Sequence, residues 1–176
     1  MRKQSERIRR TRARAVALGV SLALGTAAPV AYAASPKTTT FTVSLTIQAD
    51  CSITANSLNF GTTGLITSNI DQATTMSVTC SSGTAYNVGL DGGSVSGSTV
   101  ATRLLGGTGT PVPTVNFALY RDSARTQNWG QTVGTDTLSN TGSGSAQTLT
   151  VYGRVPPQNA PAAGAYSSTI TTTVTF

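Results

Sequence analysis

Apolar and polar residues alternate with a period of two along much of the chain. Phe41, Val43, Leu45 and Ile47 alternate with Thr42, Ser44, Thr46 and Gln48. Met76, Val78 and Cys80 alternate with Ser77 and Thr79, and Tyr86, Val88 and Leu90 follow the same rule. So do Val115, Phe117 and Leu119, and then Leu149, Val151 and Gly153. The last run is Tyr166, Ser168, Ile170, Thr172, Val174 and Phe176. Successive side chains of a strand point to opposite faces, so this spacing predicts half-buried β-strands. A further short strand is expected at Ile53 or at Leu58-Asn59-Phe60. Turn-forming clusters separate the runs: residues 61–64, Asp91-Gly92-Gly93, Ser96-Gly97-Ser98, Gly106-Gly107-Thr108-Gly109 and Thr141-Gly142-Ser143-Gly144. Residues 91–114 and 123–147 read as long solvated loops, and no repeat of fixed period is visible. Six or seven short strands with turns between them predict an all-β antiparallel sandwich.

Composition agrees. The chain has 176 residues, a length suited to one domain, with 32 Thr and 18 Gly. Thr and Val are stiff at χ1 and favour strands, while Gly and Ser mark turns.

The charge needs to be placed before it is interpreted. The formal net charge is +6, which would suit a nucleic-acid or anionic-surface ligand. Seven of the twelve basic residues lie among the first fourteen positions, and residues 15–28 are apolar or small and uncharged. Ala31 and Ala33 then offer a small-x-small cleavage site. This order predicts a secretory signal peptide over residues 1–33, cut after Ala33 or, as the near alternative, after Ala34. A basic nucleic-acid arm would not be followed by such a run. Arg9-Arg10 lacks the apolar pair expected of a twin-arginine signal. No Cys follows the cut to carry a lipid. Cleavage would remove seven basic residues and Glu6. It would leave Lys37, Arg103, Arg121, Arg125 and Arg154 against Asp50, Asp71, Asp91, Asp122 and Asp136. The exported chain is thus formally neutral, and no basic patch remains to bind nucleic acid.

Cys51 and Cys80 are the two cysteines. Export places them in an oxidising compartment, where an even count predicts a bridge. Neither catalysis nor metal binding has a foothold. The absence of His removes the usual general base and metal ligand, and two Cys cannot complete a zinc site. The five carboxylates lie in turns or beside strands, without a flanking sequence that would tune an acid–base pair. Asp91-Gly-Gly lacks the further acidic ligands of a calcium loop, and the Gly-rich loops open no helix that could cradle phosphate. No cofactor, no metal and no enzymatic activity are expected.

Several segments together resemble one family. They are Cys51 with Leu58-Asn59-Phe60-Gly61, Val78-Thr79-Cys80, Gly83-Thr84-Ala85-Tyr86, Leu90-Asp91-Gly92-Gly93, Leu119-Tyr120-Arg121-Asp122, Trp129-Gly130, Val151-Tyr152-Gly153-Arg154-Val155-Pro156, and Gly164-Ala165-Tyr166 running to Phe176. In this order they resemble the spore coat protein U domain, a family that includes major subunits of archaic chaperone–usher pili of Gram-negative bacteria. Ser168 departs from the Asp frequent at that place and bears on a strand-start hydrogen bond; Phe176 replaces a frequent Tyr.

The resemblance implies an immunoglobulin-like β-sandwich that lacks its last strand. The sequence stops at Phe176 inside an alternating run, which fits that picture. A periplasmic chaperone would first lend the missing strand, an outer-membrane usher would pass the subunit on, and the N-terminal segment of another copy would then replace the lent strand. Residues 34–48 would be the donor segment, with Phe41, Val43, Leu45 and Ile47 as its knobs, and residues 49–176 the pilin domain. Ile170, Thr172, Val174 and Phe176 would form the acceptor edge, and the Phe176 carboxylate a handle for the chaperone. The expected role is a cell-surface fibre subunit serving adhesion and biofilm formation. The alternative is a secreted coat or envelope protein, or a carbohydrate-binding module, that uses the same sandwich without polymerising. In that case Trp129 and Tyr120 are the candidate sugar-stacking residues.

Overall fold

The computed structural model describes residues 33–176, so the expected leader lies outside the described residues except for Ala33. The chain divides into Met1–Val43 and Ser44–Phe176. Residues 33–50 carry no regular secondary structure. The alternating run over residues 41–48, the most regular in the sequence, is therefore not a strand. The reason is physical: a β-strand exists only where a neighbour satisfies its backbone, and these residues take part in neither sheet.

The second unit is all-β, with no helix among the described residues. Its strands are β1 (Cys51–Ala55), β2 (Ile70–Cys80), β3 (Ala85–Leu90), β4 (Arg103–Gly106), β5 (Thr114–Tyr120), β6 (Leu138–Thr141), β7 (Gln147–Val155) and β8 (Thr172–Thr175). They form two antiparallel sheets, ordered β1-β2-β7-β5-β4 and β6-β3-β8. The inward positions fill one core. Met76 and Val78 of β2, Leu149 and Val151 of β7, and Val115, Phe117 and Leu119 of β5 meet Tyr86, Val88 and Leu90 of β3. Every one of these belongs to an alternating run, so the two-residue period correctly identified the buried face.

Eight strands form rather than six or seven. β4 and β6 lie inside the stretches expected to be loops. β4 escapes the pattern because its inward residue is Arg103, fully buried. β6 escapes because it is the short polar edge strand Leu-Ser-Asn-Thr, largely exposed. Of the two options near the N-terminus, Ile53 lies in β1, whereas Leu58 and Phe60 are irregular. The last run is a strand only over Thr172–Thr175; upstream, Ser167 makes an isolated bridge to Gly106.

The disulfide joins Cys51 and Cys80, which are directly opposite in the β1–β2 ladder. It fastens an edge strand of only five residues to an eleven-residue neighbour. In the loop-entropy picture a bridge across a sequence separation of 29 is worth about 3–4 kcal/mol. The double substitution Cys51→Ala/Cys80→Ala is expected to lower the free energy of unfolding by about that amount. Urea midpoints of the oxidised protein and the variant check this. Equal midpoints would mean that β1 is held by its backbone ladder alone.

Candidate functional site

The feature that stands out is an uncovered seam between the two sheets. β8 ends the small sheet and β1 ends the large one. Antiparallel pairing turns the backbone groups of alternate residues to opposite sides. The N–H of Asp91 donates to the Thr171 carbonyl, which fixes the phase: Thr171, Thr173 and Thr175 face β3. The N–H and C=O groups of Thr172 and Val174 therefore point away from β3, along an edge with no neighbouring strand. On β1, Ser81 donates to the Asp50 carbonyl and Asn56 donates to the Thr75 carbonyl. The same phase rule turns the backbone of Cys51, Ile53 and Ala55 away from β2. β1 and β8 approach each other, with Cα atoms within 8 Å, without pairing.

At one end of this seam, where β1 ends at Ala55 and β8 begins at Thr172, lies a cavity of about 1080 Å³. Its floor is the core itself: Met76, Leu90, Val115, Phe117, Leu119 and Val151 all reach it. One wall is residues 55–64, and the other is residues 160–170. Local sequence explains the first wall. Leu58 and Phe60 cross over β7 where it carries Gly153; a Cβ there would meet Leu58 and stand 2.9 Å from Phe60 Cζ. Only glycine lets the wall lie so close to the sheet. Phe60 then packs edge-on against Phe117 of the floor, with ring centroids 6.2 Å apart. Of the expected acceptor residues, Ile170 and Thr172 line the cavity. Val174 is half-buried in β8, and Phe176 is 55% exposed. The expected knobs Phe41, Val43, Leu45 and Ile47 are 80–85% exposed, an unusual state for four large apolar side chains in a row.

Charged side chains serve the frame. Arg103 is fully buried and surrounded by carbonyls. Its Nε donates to Asp91 (2.9 Å), and its terminal nitrogens donate to Val100 (3.3 Å), Leu90 (3.0 Å) and Trp129 (2.6 Å). Burial pushes this guanidinium down to about 10, and the charges of Asp91 and Asp136 offset part of that. Sequence inspection missed Arg103, since nothing local marks one arginine as buried. All five carboxylates have structural partners. Asp50 accepts from the Cys51 N–H, Asp136 from the Thr132 N–H, and Asp122 from the Thr126 and Gln127 N–H groups. Asp91 holds Gly93 and Thr171. Asp71 pairs with Arg154, directly opposite on β7, through two bonds of 2.7 Å, and with Arg125 at 3.5 Å. Among the described residues no group of three or more His, Cys, Asp or Glu is placed to hold a metal. Trp129 is fully buried and donates its indole N–H to the Val88 carbonyl, so it cannot stack on a sugar. Tyr120 is half-buried opposite Tyr152. Ser168 Oγ is buried with no hydrogen-bond partner.

An all-β sandwich with an unpaired edge beside a cavity floored by its core defines the structural class. The Spore Coat Protein U domain model matches residues 37–173, and the chain belongs to that family. No curated protein matches the chain. Among solved structures, it is similar to a chain of the CsuC–CsuE chaperone–tip adhesion subunit pre-assembly complex from archaic chaperone-usher Csu pili of Acinetobacter baumannii. That likeness has 24% identity and a TM-score of 0.53, covering 74% of this chain and 40% of that chain. The chain thus spans well under half of that relative. The E. coli Hda pilus minor tip subunit HdaB matches at 15% identity and a TM-score of 0.38, over 71% of this chain and 79% of that one.

The Asp71 cluster makes a pH prediction. The Arg154 hydrogen bonds hold the Asp71 carboxyl below its usual range; slight burial opposes them, and the charges of Arg125 and Arg154 add to them. A carboxyl with a depressed folded pKa stabilises the fold above its unfolded value, about 3.9, and loses that contribution as the pH falls through the lower folded value. Asp71→Asn is expected to cost about 1 kcal/mol or less at neutral pH, because the pair is partly exposed. It should also flatten the acid limb below about pH 4. Urea midpoints of both proteins across the acid range check this; parallel curves would show that the pairing does not stabilise the fold.

Proposed function

We propose that the protein is an exported structural subunit of a surface fibre, assembled by donor-strand exchange. One coincidence carries this reading. The same chain holds an uncovered sheet edge beside a cavity with an apolar floor and an exposed, alternating apolar segment that pairs with nothing in either sheet. Each is costly alone. An open edge is an aggregation hazard, and four exposed large apolar side chains forgo about 1.5–3 kcal/mol each. Each relieves the other when residues 40–48 of one copy lie along β8 of another.

The chemistry matches in detail. The outward backbone of Thr172 and Val174 supplies the hydrogen bonds, and the core floor takes Phe41, Val43, Leu45 and Ile47 on one face of the incoming strand. Thr42, Ser44 and Thr46 stay toward water. The contact is heterologous, donor segment to acceptor edge, so it propagates as a fibre rather than closing as a dimer. A strand flanked on both sides needs its neighbours about 10 Å apart, twice the usual spacing. β1 and β8 are closer than that, so seating a strand along the whole of β8 moves β1 outward.

Membership of the spore coat protein U domain family and the fold shared with a subunit of an archaic chaperone-usher pilus support this reading. By analogy with that complex, a periplasmic chaperone covers the edge before assembly, and an outer-membrane usher then exports the subunit. Residues 34–48 are the donor segment and 49–176 the pilin domain. Adhesion and biofilm formation are the fibre's role. No nucleic acid is involved.

Val43→Asp/Leu45→Asp places two charges among the knobs without touching the sandwich core. Co-expressed with the chaperone and usher, the variant is expected to accumulate as a folded subunit and form no fibres by electron microscopy. Normal fibres from the variant would exclude residues 40–48 as the donor.

A further inference from the structure

The weakest part of the acceptor edge is β8. It is four residues long and hydrogen-bonded on one side only, which by itself frays. Its start is nevertheless fastened at Asp91, by both backbone and side chain. Beyond the last ladder pair, Leu90 with Thr172, the Asp91 N–H donates to the Thr171 carbonyl at 3.1 Å. The Thr171 N–H in turn donates to Asp91 Oδ1 at 2.9 Å. The carboxylate thus stands in for the backbone carbonyl that β3 cannot offer once it has turned away. The same oxygen accepts from the Gly93 N–H at 3.0 Å, which closes the turn.

The turn itself is rigid. Gly93 has φ +96, and a Cβ on Gly92 would stand 2.9 Å from Thr99 Cα, so the backbone is pressed against residue 99. Arg103 grips the Leu90 and Asp91 carbonyls from inside the core. The chain Arg103–Asp91–Thr171 therefore links the buried frame to the residue immediately before β8.

We propose that Asp91 is a positioning residue for donor capture. It presets β8, so that the outward groups of Thr172 and Val174 are held in register before any donor arrives. A donor strand then pays no ordering entropy for its partner, which favours tight capture. Further upstream the Thr169 N–H donates to Ser94 Oγ at 2.9 Å and Ser167 bridges Gly106, so Asp91 is the fastening nearest to β8.

The inference rests on the donor-strand reading for its function but not for its structural test. Amide hydrogen exchange on the mature chain reads it directly. In the wild type, the Thr171 amide, which lies outside the strand, is expected to be protected to the same degree as Thr173, while Thr172 and Val174 exchange fast. Asp91→Ala should speed exchange at Thr171, Thr173 and Thr175 by about tenfold or more and leave the β2–β7 amides unchanged. Asp91→Asn keeps the Oδ1 acceptor and should restore protection. An unprotected Thr171 amide in the wild type overturns the proposal even if the alanine variant fails to fold, and so does unchanged β8 exchange in a folded alanine variant. A synthetic peptide of residues 40–48 adds the functional arm, with binding expected to weaken about tenfold in Asp91→Ala and not in Asp91→Asn. Full affinity in Asp91→Ala would overturn the positioning role. A wild type that ignores the peptide would sink the donor-strand reading, while the exchange data would still decide whether Asp91 holds β8.

Discussion

Backbone hydrogen bonding at a sheet edge is the constraint on which the rest of this structure depends. Every buried or half-buried N–H and C=O must find a partner, and β8 offers a row of them to nothing. Proteins that stay monomeric blunt such an edge with charge, proline or a covering loop. Here the outward positions are Thr172 and Val174, and the surface beside them opens onto Met76, Leu90 and Phe117 instead of closing over them. The frame around the edge is correspondingly firm. A disulfide holds β1, a buried arginine ties the turn after β3, and Gly153 lets Leu58 and Phe60 build a wall against the large sheet.

Neutrality belongs to the same account. The five carboxylates and the arginines of the sandwich are spent on turns, caps and one cross-strand cluster, and none is gathered into a charged face. In the proposed fibre, low surface charge keeps like-charge repulsion between subunits small.

Much of this was legible in the sequence, and the misses have physical causes. Alternation located β2, β3, β5 and β7 and their inward faces, because burial on one side of a pleated strand writes itself as a two-residue period. It failed for β4, where the buried residue is Arg103, held by the nearby Val100 carbonyl and by the Leu90, Asp91 and Trp129 carbonyls from other segments. It failed for β6, a polar edge strand with no buried side to write. Residues 41–48 alternate without forming a strand, since the pattern records a preference for pairing but not whether a partner is present. Alternation did not mark the cavity, because its floor is simply the core; only the resemblance to a sandwich lacking its last strand implied an open groove. Asp91 read as a turn residue, which is true but omits the bond to Thr171, 80 residues away.

In the proposed fibre, residues 40–48 of another copy complete the uncovered edge of β8. Amide exchange at Thr172 and Val174, compared between dispersed subunits and assembled material, tests it most directly. The account predicts fast exchange in the free subunit and strong protection at both positions after assembly, together with new protection at Val43 and Leu45. Exchange at Thr172 and Val174 that stays as fast in the assembled state as in the free one would contradict it.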